Sequence, residues 1–496
     1  MHEPDPPRTS RRTLLKGTAA AGAGAALSPY LLQSPAHARI TTGDYTIRFD
    51  NGARQTILGL GFEIQSDSIG SSNDGLPDTV SAVPHDLTPD ERTRFYQQML
   101  KAGRTDRGFR YCRLALGLYH RGLDPSRKRM MDRYPGQSAL LADMIDQAGI
   151  EGISAEYWSP APGWKSNGSY IKGTLASFAA ADLDALGDAM VADLDYLSAA
   201  GVPISMWGLQ NEPSFATSYS SCTYDAAQYL AAFKAVAPKI RAKYPHVMIH
   251  ANSLDGWSGA RGQAIKADPT ALSYVDAWTY HRIGKDSNEQ IATDFTSGAV
   301  GRPVFNNEFE YLDEQTSDAR TLNTAQSIMN WMTFQDAPTW FWLHALKPTT
   351  NSESPGYSLG FWRPPHDTDF SRFPDLPVGH WTFNPRNWNA VAGFVKYMPW
   401  DSVRHHVEEP AHTDGSPYRD HRIMAWKTPA GKPVFAITNR STTTPFTYTV
   451  DTQTAATFQG HRYGPSVNNR TLASKEGPVL TLTVPPLSVE FWVRTP

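Results

Sequence analysis

The sequence predicts an α/β fold, a (β/α)8 TIM barrel with an associated antiparallel β-sandwich side domain. Three observations lead there. Short apolar runs alternate with helical segments, about eight such units in roughly 290 residues, and this rhythm implies parallel strands with helices outside. From Asp401 onward the pattern turns to period-two alternation, which marks half-buried antiparallel strands. Two strand-like runs also precede the first helix, placed to join that second sheet.

In chain order, Asp44 to Phe49 alternates as a strand turned by Asp50-Asn51-Gly52, and Arg54 to Ile64 reads as a second strand. Helical patterns follow at 88–102, 138–148, 176–200, 224–243 and 321–336. Between them lie strand patterns at 109–116, 152–157, 203–209, 246–251, 274–280, 303–307 and 339–343. Residues 350–390, rich in Pro, Trp, Asn and Asp, predict a long loop, and 387–397 a last barrel helix. Strands are expected at 421–426, 433–439, 446–450, 479–484 and 489–493. The expected division is a leader at 1–38, strands joining the side domain at 39–60, the barrel at 61–398 and the side domain at 399–496.

The leader has its own logic. Ser10-Arg11-Arg12-Thr13-Leu14-Leu15-Lys16 reads as a twin-arginine export signal, followed by an Ala/Gly-rich apolar stretch and Ala36-His37-Ala38 as a cleavage site. No later apolar run is long enough to span a membrane. A secreted, unanchored product starting near Arg39 is expected. Net charge is -3, so no basic field supports nucleic-acid binding. The two cysteines, Cys112 and Cys222, make neither a disulfide scaffold nor a zinc site. One disulfide and two buried thiols both fit them. No metal or cofactor signature is present, and the chain lacks metalloprotease and P-loop motifs.

Barrel chemistry sits at the C-terminal ends of the strands. Glu212, in WGLQNEPSF, follows the fourth strand, and Glu308, in GRPVFNNEF, follows the seventh, each beside an asparagine (Asn211, Asn307). Barrel closure brings both into one mouth. Two facing carboxyl groups are what glycosidic cleavage requires, one protonated for the leaving oxygen and one ionised for the anomeric carbon. Glu310 competes with Glu308 if the strand end is misplaced.

The chain resembles glycoside hydrolase family thirty, a retaining clan-A family. The resemblance rests on Gln55-Thr56-Ile57-Leu58-Gly59-Leu60-Gly61, on Arg113-Leu114, on Trp158-Ser159-Pro160-Ala161-Pro162-Gly163-Trp164-Lys165-Ser166-Asn167-Gly168, on Asn211-Glu212-Pro213, on Glu308 and on Val484-Pro485-Pro486-Leu487-Ser488-Val489. It implies Glu212 as acid/base, Glu308 as nucleophile and Asn211 as holder of the sugar 2-hydroxyl. It further implies Arg113 as support for the nucleophile, Trp158 as a sugar-facing wall and His281 at the sixth strand end. Lys165, Ser166 and Asn167 line the rim. The plainer readings are a salt bridge for Arg113, a core ring for Trp158 and a structural histidine for His281.

Departures from the family pattern bear on substrate. The usual His-x-Tyr is His281-Arg282-Ile283, leaving Tyr280 or Tyr311 to replace the tyrosine. His120 lies in Gly117-Leu118-Tyr119-His120-Arg121, the region where glucose-specific members carry an aspartate. Glu63 stands where a small residue is usual, with Asp67 a weaker neighbour. Trp342 on the eighth strand completes the substrate-binding candidates. The expected partner is an oligo- or polysaccharide with β linkages: β-1,6-glucan, β-1,6-galactan, xylan or small β-glycosides. A non-catalytic carbohydrate-binding protein and a transglycosylase are the alternatives on the same barrel.

Overall fold

The computed structural model describes residues 42–64, 87–254, 259–281, 299–310, 317–350, 356, 358–365, 367–410 and 420–496. The expected leader, Asp67, Arg282-Ile283 and Tyr311 lie outside them. Eight parallel strands close into a barrel: β1 Gly61–Ile64, β2 Tyr111–Leu116, β3 Gly152–Tyr157, β4 Ile204–Gly208, β5 Met248–Leu254, β6 Ala277–His281, β7 Val304–Phe309 and β8 Trp340–Trp342. β8 pairs with β1 to complete the ring.

Local chemistry sets the helix ends. Thr88 caps the helix Pro89–Phe95 by accepting the Glu91 N–H at 3.3 Å, with Pro89 in the first turn where no donor is needed. Asp225 and Gln228 form a reciprocal capping box on Ala226–Lys243. Gly149, at φ 66°, ends Gln137–Ala148 in the left-handed conformation.

The expected single strand 54–64 is two elements. Ala53–Ile57 pairs with Ser402–His405 in the side sheet, and Gly61–Ile64 opens the barrel. The chain passes between them at Gly59, φ 141°, where a Cβ would lie 2.9 Å from Arg110 and 3.0 Å from Trp400. The expected loop at 350–390 also holds structure. Ser358–Trp362 and Trp381–Phe383 form a three-stranded sheet with His344–Pro348. Its rings find partners (Trp381 packs on Phe95 and donates to Glu91 O at 3.0 Å), an outcome that polar composition hides.

The side domain is one continuous ten-stranded sheet. The nineteen-residue strand Phe446–Gly464 runs through it, and rings and aliphatic chains from Tyr45 to Trp492 fill its own core. The sheet is antiparallel except that Thr42–Ile47 runs parallel to Phe446–Gly464, correcting a wholly antiparallel expectation. The helix Ala319–Phe334 packs between barrel and side sheet and is buried nearly all round, with Gln326 donating to Thr438 Oγ1 at 3.1 Å. Among the described residues no helix is long and apolar enough to cross a membrane. Cys112 and Cys222 are buried free thiols, which settles the pairing left open by sequence.

Candidate active site

Side chains alternate across each barrel strand, so every second residue points at the axis. The floor is apolar. Phe341 stacks between Tyr111 and Phe305 at 6.1 and 5.9 Å. Gly61 makes room for it, because a Cβ there would sit 2.3 Å from the ring. Above lies His250, admitted by Gly208, where a Cβ would be 2.4 Å from the imidazole. Burial pushes His250 down to about 4, so the ring is neutral at pH 7.

Arg113 organises the next layer and is fully buried. Its Nη1 donates to Glu308 Oε2 at 2.5 Å and to Glu63 Oε2 at 3.1 Å. Its Nε and Nη2 grip Glu156 Oε2 at 2.9 and 2.5 Å, and Nη2 reaches Asn211 Oδ1 at 2.6 Å. Burial alone would lower the guanidinium pKa; Glu156, Glu308 and Glu63 together hold it above its ordinary value. Burial likewise pushes the Glu156 carboxyl up, and the Arg113 guanidinium outweighs that, holding it below the usual range. The Trp158 ring covers this layer, with the Arg113 guanidinium 4.4 Å from its centroid.

A β-bulge aims Glu308. Tyr280 pairs with Asn306 and His281 with Glu308, so Asn307 is the extra residue on β7. Asn307 therefore bonds inward to Glu156 at 3.1 Å and Ser253 at 3.3 Å, and its neighbour Glu308 also faces Arg113. Asn306 Oδ1 accepts the Glu308 N–H at 3.2 Å, satisfying backbone that the bulge takes out of register. Phe309 resumes alternation outward, against Trp340 and Trp342.

Glu212 faces Glu308 from the loop after β4. Its φ is 46°, a left-handed conformation unusual for a residue with a Cβ. Asn211 N–H to Tyr157 O at 2.7 Å and Phe215 N–H to Glu212 O at 2.9 Å hold the turn. Between the two glutamates stands His281, with Nδ1 3.2 Å from Glu212 Oε1 and Nε2 3.7 Å from Glu308 Oε2. One donor atom from each of the three lies within 4.8 Å of the others, and all three residues are buried.

The structure thus brings together Glu63, Arg113, Trp158, Asn211, Glu212, His281 and Glu308. Glu63 also faces His344 Nδ1 at 3.2 Å. Three candidates lie elsewhere. Tyr280 falls between inward Thr279 and His281 and so points outward. Trp342 is buried in the outer aromatic layer with Phe309 and Trp340. His120 is buried near Tyr196, and burial drops it to about 4. Glu310 is buried just beyond β7, and Arg113 engages Glu308 in its stead. Lys165 is buried within its loop rather than at the rim, bonding Ser159 Oγ at 3.0 Å and Ser221 O at 2.6 Å. Sequence reasoning missed Glu156, Ser253 and His344. Ser154 and Glu156, two polar residues spaced by two in an apolar strand, were the available signal for an inward-facing layer.

No protein-family model matches the chain, and no curated protein does. Solved structures do. The catalytic domain of a family 30 xylanase C from Talaromyces cellulolyticus superposes with TM-score 0.68 at 17% identity, covering 91% of this chain and 100% of that one. The subfamily 8 xylanase Xyn30A from Clostridium acetobutylicum gives 0.64 at 18%, covering 91% and 100%. The endo-β-1,6-glucanase BT3312 gives 0.65 at 13%, covering 91% and 94%. At such identities the likeness is one of architecture: the chain has the clan-A fold of the family 30 glycoside hydrolases.

Proposed function

We propose that the protein is a secreted retaining glycoside hydrolase that cleaves β-linked glycans. The observation that carries this is the Glu212–Glu308 pair, whose facing oxygens lie within 4.8 Å across the barrel mouth. Retaining enzymes hold their carboxyl groups about 5–5.5 Å apart, and inverting ones about 6.5–9.5 Å. In this reading Glu308, kept ionised and aimed by Arg113, attacks the anomeric carbon. Glu212 gives its proton to the departing oxygen, and a glycosyl ester forms on Glu308. Glu212, now a carboxylate, takes a proton from water, the water oxygen bonds the anomeric carbon, and Glu308 leaves. Asn211 has its Oδ1 engaged by Arg113, so its amide N–H2 is oriented to donate to the sugar 2-hydroxyl.

Xylan and β-1,6-glucan are the substrates named for the neighbouring structures, and they head the candidates together with β-1,6-galactan and small β-glycosides. Export follows from the twin-arginine pattern at residues 10–16, with the mature chain divided near residues 60 and 398. The test is sugar release from a panel of β- and α-linked glycans, with Glu308→Ala as the blank. Wild type should cut a β-linked member, and the variant should be slower by about 10⁴-fold or more. Equal inertness of both across the panel would favour a carbohydrate-binding protein on the same barrel.

A further inference from the structure

We infer that Glu212, His281 and Glu308 form a site for a divalent transition-metal ion, and that such an ion blocks the reaction. The inhibition rests on the catalytic reading above; the binding does not. The three side chains come from the loop after β4, from β6 and from β7, so the barrel wall fixes them. They offer one imidazole nitrogen and two carboxylate oxygens, with a donor atom of each within 4.8 Å of the others. A bound zinc takes such donors at about 2.0–2.2 Å in tetrahedral geometry, which puts ligand atoms about 3.4 Å apart. Side-chain rotations that close the widest pair by about an ångström reach that geometry.

A second observation points to a cation. His281 is 7% exposed, and its Nε2 has no hydrogen-bond partner among the described residues. That nitrogen is aimed at Glu308, 3.7 Å away. The surroundings are also acidic: Glu63 and Glu156 lie in the same layer, facing Arg113. A pocket that stabilises positive charge developing on a sugar ring suits a small cation for the same electrostatic reason. The mixed nitrogen and oxygen donors favour Zn²⁺, Cu²⁺ or Ni²⁺ over Mg²⁺ or Ca²⁺, which prefer all-oxygen shells. The ion would stand where the anomeric carbon must sit, and it would claim the lone pairs that Glu212 and Glu308 use.

Calorimetric titration of the protein with zinc chloride tests this, beside Glu212→Gln and His281→Asn, two substitutions close in shape that spare the fold. One Zn²⁺ per chain is expected for wild type. Losing an outer-shell partner already costs about 10–100-fold in metal affinity, so each variant should bind at least that much more weakly. Wild type should show a raised apparent KM with kcat unchanged as Zn²⁺ is added, and magnesium chloride should do neither. Zinc binding of equal strength in wild type and both variants, as surface histidines such as His406 would give, overturns the site. Binding that the variants abolish, with sugar release unaffected in the zinc-loaded protein, upholds the site and overturns the inhibition.

Discussion

Arg113 is the residue on which the site turns. It bonds Glu63, Glu156, Asn211 and Glu308 from a fully buried position. Its planar fork reaches partners on several strands at once, and a lysine ammonium has no such geometry. Arg113→Lys should therefore cut kcat by about 10²–10³-fold, comparable to losing a positioned electrostatic donor. Arg113→Ala leaves Glu63, Glu156 and Glu308 without their shared cation, and removing one partner of a buried ion pair costs about 3–5 kcal/mol. Turnover of the first variant and denaturant unfolding of the second check this; a fully active Arg113→Lys protein would contradict the role assigned. At this scale the sequence was informative about identity and weaker on direction. Glu212 and Glu308 were named because they follow apolar runs, and Arg113 through the family resemblance. Tyr280 and Trp342 were chosen by type, and strand alternation turned both to the outer face. Glu156 went unnoticed because one carboxylate inside an apolar strand says nothing of its partner until β2 lies beside it.

Among the elements, the β7 bulge and the link between β3 and its following helix matter most. The bulge at Asn307 lets adjacent side chains face the same way, which strict alternation forbids, and periodicity alone could not reveal it. The helix Ala180–Ala199 is tied to its surroundings by Asp193, which accepts from the Met130 N–H at 2.7 Å and the Tyr157 hydroxyl at 3.2 Å. Burial pushes this carboxyl up to about 7 from 3.8, against the opposing pull of Met130, Tyr157 and Arg129. A carboxyl whose folded value is raised binds its proton more tightly in the native state. It therefore weakens the fold progressively as pH rises from about 4 to about 7. Asp193→Asn keeps the acceptor for Met130 and removes the ionisation. Its melting temperature should fall less than that of wild type between pH 5 and pH 8. Parallel curves for the two proteins would mean that Asp193 does not titrate in that window. Residues 54–64 were expected as one strand and 350–390 as a loop, and both differ for the same reason: the break at Gly59 and the pairing of Ser358–Trp362 depend on distant residues.

Over the whole molecule, barrel and side sheet share the buried helix Ala319–Phe334, and the first strand of each is set within twenty residues of the other. The architecture was legible because a strand–helix rhythm needs no knowledge of contacts. The parallel placement of Thr42–Ile47 was not, because it depends on where the chain enters the sheet. Whether closure of this barrel turns Glu308 into a nucleophile opposed by Glu212 is tested most directly by trapping the intermediate. The protein would be incubated with an activated 2-deoxy-2-fluoro glycoside of the sugar released in the glycan panel, digested, and read by mass spectrometry. One covalent glycosyl adduct per chain is expected, on Glu308. An adduct on Glu310 or Glu63, or a cleaved glycan of inverted configuration with no adduct, would contradict it.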